Sequence, residues 1–119
     1  MNNERSYNKD NLTESLNILT EIAKTANYHN YETSVVVNGN NTIQIGCYKE
    51  GRSMEFEILP QKRLNVIIED RDKDDLNYSV SADKIDSFFD FKYICPKCNR
   101  SLPIGDCKSC GMTFFYRKF

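Results

Sequence analysis

From Leu12 onwards apolar residues return every three or four positions: Leu12, Leu16, Leu19, Ala23 and Ala26, joined by Ile22. That period lays them along one stripe of an amphipathic helix over about 12–28, with Asn17, Glu21 and Lys24 on the wet face. Asn11 followed by Glu14 reads as a capping box at its start, and residues 1–10 read as a disordered lead. From Thr33 the period falls to two. Val35 and Val37, then Ile43, Ile45 and Cys47, then Met54, Phe56 and Ile58, then Leu64, Val66 and Ile68, then Leu76, Tyr78 and Val80 each alternate with mostly polar neighbours. Asn38-Gly39-Asn40-Asn41, Glu50-Gly51, Pro60-Gln61-Lys62 and the charged run Asp70–Asp75 punctuate these rows with residues suited to turns.

Four or five strands joined by short turns predict an antiparallel meander, and the alternation leaves only one face apolar, for the first helix to cover. A second helix is expected after Ser81 as N-cap, with Asp83 in its first turn and Ile85, Phe88 and Phe89 docking it. Phe91, Tyr93 and Ile94 then lead without a low-complexity linker into the last segment. The predicted class is α+β. Residues 1–91 form an acidic binding domain and residues 92–119 a small appendage packed against it.

Charge supports that division. Residues 1–91 carry ten Lys and Arg against sixteen Asp and Glu, whereas residues 92–119 carry six basic residues against Asp106 alone. A nucleic acid would be repelled by the first part and attracted by the second. The polar start has no apolar signal core, and no stretch nears the roughly 18 apolar residues of a membrane span, so neither secretion nor membrane insertion is expected.

The appendage carries the strongest chemical signal: Cys95-Pro96-Lys97-Cys98 and, after eight intervening residues, Cys107-Lys108-Ser109-Cys110-Gly111. Two such turns offer four thiolates to one tetrahedral ion, a donor set that suits zinc better than two disulfides or a redox pair. Cys95, Cys98, Cys107 and Cys110 are the expected ligands. A site filled by four sulfurs keeps no open position, so the metal would serve structure, and the segment should be unfolded without it. Reduced thiolates also favour a cytoplasmic location. Residues 93–119 resemble the short zinc-ribbon family, whose pattern is Cys-Pro-x-Cys-Gly with a downstream Cys-x-x-Cys-Gly. Asn99 stands where the family has its first Gly, and Asn is the residue next best suited to a left-handed turn. The resemblance implies a zinc-stapled ribbon and, across the family, binding to DNA, RNA, polymerases or other proteins.

Other motifs have plainer readings. Asp70, Asp72 and Asp74 imitate the start of a calcium loop, but Asp75 and Ser81 stand where Gly and Glu are required, so a solvated turn is expected. His29, the single histidine, has no partner or nucleophile identifiable from sequence and is expected at the surface or at the helix end. Cys47 falls on an apolar row as a small hydrophobe. No Gly-rich phosphate loop and no nucleophile elbow is present, so no catalytic residue is named and a non-enzymatic role is expected.

Two kinds of partner follow. A protein partner, with this chain as adaptor, regulator or inhibitor, would meet the acidic domain through Glu55, Glu57 and Glu69, which alternate with core positions. A nucleic acid or transcription complex would instead meet Lys97, Arg100 and Lys108 of the basic ribbon, where Phe114, Phe115 and Tyr116 offer stacking surfaces. In the plainer alternative those aromatics fill the ribbon's own small core.

Overall fold

A helix and a meander account for most of the chain, and each ends where its periodicity ends. The computed structural model describes residues 9–37, 42–107 and 112–113. The expected turn at 38–41 and the polar lead before Lys9 lie outside them.

Helix α1 spans Lys9–Tyr28, so Asn11 is a helical residue and not its cap. A cap is one local hydrogen bond, and a helix that gains a further turn overrides it. The buried residues of α1 are Ser15, Ile18, Ile22 and Ala26, with Leu19 and Ala23 packed at the margin, while Leu12 and Leu16 are exposed. Ile22, Ala26, Leu19 and Ala23 of the expected row thus face the core, whereas in the first turns Ser15 and Ile18 take the inward place expected for Leu12 and Leu16. Its C-terminus closes as a Schellman turn: Tyr31 N–H donates to the Ala26 carbonyl (2.9 Å) and Asn30 N–H to that of Asn27 (3.0 Å), with Asn30 at φ 68°.

Five strands follow: β1 Glu32–Val37, β2 Ile43–Lys49, β3 Arg52–Leu59, β4 Arg63–Asp70 and β5 Leu76–Ser81. They pair in sequence order, antiparallel throughout. The inner rungs are Ile43, Ile58, Leu64 and Val80; Ile45, Phe56, Val66 and Tyr78; and Cys47, Met54, Ile68 and Leu76. The fold is thus α+β, with one apolar sheet face under α1. Gly51 closes the β2–β3 hairpin at φ 82°, a left-handed angle that glycine adopts without penalty.

After Ser81 the chain does turn helically, but as a 3₁₀ helix over Ala82–Phe89. Ser81 has the extended dihedrals of an N-cap, yet its hydroxyl donates to the Asp83 carboxylate and accepts no helix N–H. Eight residues exceed the usual 3₁₀ run. Buried aromatic contacts accompany the extra length: Phe89 stacks on Phe56 (5.7 Å, 12°), and Phe88 meets Phe56 and Tyr78 edge-on. Beyond it lie two short antiparallel pairs, β6 Tyr93–Ile94 with β7 Ser101–Leu102, and β8 Asp106–Cys107 with β9 Met112–Thr113. Cys95, Leu102 and Cys107 belong to the same buried cluster as the sheet core, so the last segment is packed on the first part as expected.

Candidate metal centre and docking surfaces

Phe91, at φ 50°, turns the chain out of the 3₁₀ helix, and the Arg52 guanidinium lies 3.8 Å above its ring centroid. Strand β6 then enters a tight reversal. Asn99 N–H donates to the Cys95 carbonyl (2.8 Å), Cys95 N–H donates to the Arg100 carbonyl (3.0 Å), and Asn99 takes φ 63°. That left-handed angle is the one for which Asn can stand in for Gly. The reversal brings Cys98 back towards Cys95, and β8 delivers Cys107 from the other side.

The Sγ atoms of Cys95, Cys98 and Cys107 all lie within 4.8 Å of one another, with Cys98 and Cys107 at 3.8 Å. Four sulfurs held tetrahedrally at Zn–S distances of about 2.3 Å would be separated by about 3.8 Å, so the trio fits such an ion. Among the described residues no disulfide joins these thiols. Burial alone would raise the Cys95 thiol; hydrogen bonds from the backbone of Cys98 and Lys97, and then from the Cys98 and Cys107 side chains, outweigh it and bring the pKa down to about 7. A thiol so placed readily releases its proton to solvent when its sulfur binds a metal. Cys95 and Cys107 are buried and Cys98 is exposed. Three cysteines that could hold a metal ion are therefore in place, and Cys110 lies outside the described residues.

The sheet's outer face positions the expected acidic surface. Its rungs are Val36, Gln44, Glu57, Asn65 and Ser79; Ser34, Gly46, Glu55, Ile67 and Asn77; and Glu32, Tyr48, Ser53 and Glu69. Glu55 and Glu69 are exposed, while Glu57 is half-buried and accepts a hydrogen bond from Asn65 Nδ2 (3.1 Å). Helix α1 and the 3₁₀ helix both pack on the opposite face.

Of the basic trio, Arg100 is taken out of the expected surface. Lys97 is exposed on the cysteine turn, and Lys108 lies outside the described residues. Arg100 is only 6% exposed. Its guanidinium donates to the Asp74 carbonyl (2.7 Å) and to Asp70 Oδ2 (3.0 Å), so it is held by the main domain instead of being presented to a phosphate. Asp70 also pairs with Arg52, so it leaves the solvated turn, whose residues 71–75 are exposed as expected. Burial pushes the Asp70 carboxyl up, but hydrogen bonds and charge from Arg52 and Arg100 outweigh this and hold it below the usual carboxylate range. Sequence reasoning missed this cluster. The signal was present, since Arg52 and Asp70 continue the inner rows of β3 and β4 and face each other in register.

His29 is half-buried at the helix end, stacked on Phe89 (5.7 Å, 17°) beside a shallow hollow of about 420 Å³ that it shares with Tyr28, Asp86 and Asp90. Cys47 is fully buried, and burial pushes its thiol up to about 12, as befits a small hydrophobe. Among the described residues no helix is long and apolar enough to cross a membrane. No family model, curated protein or solved structure matches the chain.

Proposed function

We propose that this chain is a non-enzymatic protein-binding module, stapled at its C-terminal end by zinc, whose open sheet face docks a basic surface of another protein. The observation that carries this reading is the sheet's two-sidedness: α1 and the 3₁₀ helix pack on one side, while Glu55, Glu57 and Glu69 flank Ile67 and Tyr48 on the other. A face with an apolar centre and a charged margin has the composition of a docking surface. Like charges across it would steer a basic partner and repel nucleic acid.

In this reading Cys95, Cys98, Cys107 and Cys110 hold the ion as thiolates in a zinc ribbon, as the family resemblance implies. The metal supplies folding free energy to a segment with few apolar residues of its own. Such a site belongs in a reducing compartment, which favours the cytoplasm. The module would work as an adaptor, regulator or inhibitor, by occupying its partner's basic surface.

The test is affinity capture from the source cell with wild type and with the Glu55→Lys, Glu57→Lys, Glu69→Lys triple variant, with circular dichroism and metal content as controls. Capture lost with fold and metal retained supports the reading. Equal capture by both proteins overturns it. Retention on nucleic acid that falls steeply with salt would favour the ribbon, whose contribution then rests on Lys97 and Lys108.

A further inference from the structure

Among the described residues β1 is an edge strand, and it and the flank of α1 above it expose apolar side chains at the same border. Val35 and Val37 lie on the inner face, in register with Ile45 and Ile43, yet they are 50% and 67% exposed while those partners are buried. On α1, Leu12 and Leu16 are 42% and 46% exposed. Their direction follows from helical geometry. Lys24, Thr25 and Tyr28 share a hollow with Asp86 of the 3₁₀ helix and with Asp90 just beyond its end, so that flank of α1 faces the 3₁₀ helix. At about 100° per residue, Leu12 and Leu16 fall on the other flank. Because α1 packs over β1, β2 and β3, that flank overhangs β1.

The edge lacks the devices that keep strands apart. It contains no Lys and no Pro, and its pairing with β2 runs from Glu32↔Tyr48 to Val37↔Ile43 without a bulge. We infer that β1 pairs with β1 of a second copy, antiparallel about a two-fold axis, so that two five-stranded sheets become one and the two α1 helices meet above the seam.

The choice of occupant follows from the two layers. An extended peptide would satisfy the strand edge but leave Leu12 and Leu16 in water. A helix would cover the leucines but leave the β1 backbone groups without partners. A second copy related by a two-fold axis supplies strand to strand and helix to helix at matching heights. Charge agrees. Glu32 is the only charged residue of β1 and stands at its start, so antiparallel pairing sets it near the partner's Val37 and away from the partner's Glu32.

Sedimentation of the full-length, metal-loaded protein from micromolar to sub-millimolar concentration tests this. The expected result is a reversible dimer of twice the monomer mass, with β1 amides gaining hydrogen-exchange protection as concentration rises. Val35→Lys and Leu16→Glu, both at exposed positions, should each return the protein to monomer with unchanged circular dichroism, whereas Asn77→Lys on β5 should leave the dimer intact. A wild type that stays monomeric throughout, or a dimer that survives both substitutions, overturns the inference.

Discussion

Asp70 and Arg100 stand 30 residues apart in sequence and meet at 3.0 Å, joining the last strand rung of β4 to the turn that carries Cys95 and Cys98. Both side chains are nearly buried, and Arg52 completes the cluster from β3. Breaking such a group from its centre strands a buried cation. Asp70→Ala should therefore cost about 3 kcal/mol. Arg100→Ala leaves Asp70 with Arg52 and should cost less, about 1–2 kcal/mol. Denaturant unfolding of both variants checks the order, and the reverse ranking would mean that Arg100 acts mainly through its bond to the Asp74 carbonyl.

The same carboxylate sets a pH dependence. Its pKa in the folded chain is lowered from 3.8, so the stabilisation it provides is complete above the unfolded value and is lost as pH falls through the folded one. Wild-type stability should decline between about pH 5 and pH 2 more steeply than that of Asp70→Asn, which has no proton to take up there. Parallel acid-unfolding curves for the two proteins would refute the assignment.

Metal removal should act locally first. Native mass spectrometry is expected to find one metal adduct in wild type, lost in Cys98→Ser and kept in Cys47→Ser, because Cys47 lies in the sheet core away from the other thiols. Chelation should expose the amides of residues 95–102 to exchange while β2, β3 and β4 stay protected. A chelated protein whose cysteine segment keeps full protection would show that the turn holds without an ion.

Phe56 lies under both Phe88 and Phe89 and is fully buried, whereas Glu57 beside it faces outward. Phe56→Ala should cost about 3–5 kcal/mol through the cavity it leaves. Glu57→Ala removes one hydrogen bond to Asn65 and should stay within about 1 kcal/mol. Thermal or urea unfolding separates the two.

A methyl group on Gly46 would come 2.7 Å from Tyr48 Cζ and closer still to the hydroxyl, so the tyrosine lies across the glycine on the outer face. Gly46→Ala should destabilise wild type because the ring must swing away, and should be tolerated in a Tyr48→Ala background. Coupling between the two sites in a double-mutant cycle is the expected signature. Additive effects would mean that the strand itself needs glycine.

The strands were readable because a period of two admits one inner face, and the placement of Ile43, Phe56 and Ile68 follows from alternation alone. The helix was harder. Leu12 and Leu16 of the expected row and the buried Ser15 and Ile18 lie on neighbouring stripes of one cylinder, and only the layer beneath decides which is buried. Buried Ser15 shows how far that layer can override polarity. The cysteine trio was legible because its spacing encodes geometry directly. Arg100 was not, since a basic residue beside a metal turn looks solvent-facing until its carboxylate, 30 residues earlier, is brought to it.

Strand order that copies chain order also bears on how the molecule is made. Each hairpin can zip with the one just completed, so the sheet needs no distant closure before Ser81 has left the ribosome. Phe88 and Phe89 arrive next to cap Phe56 and Tyr78. Arg100 reaches Asp70 only after the cysteine turn has been synthesised. The sheet can therefore pair in the order in which it is made, while the core itself closes only when Cys95, Leu102 and Cys107 join it.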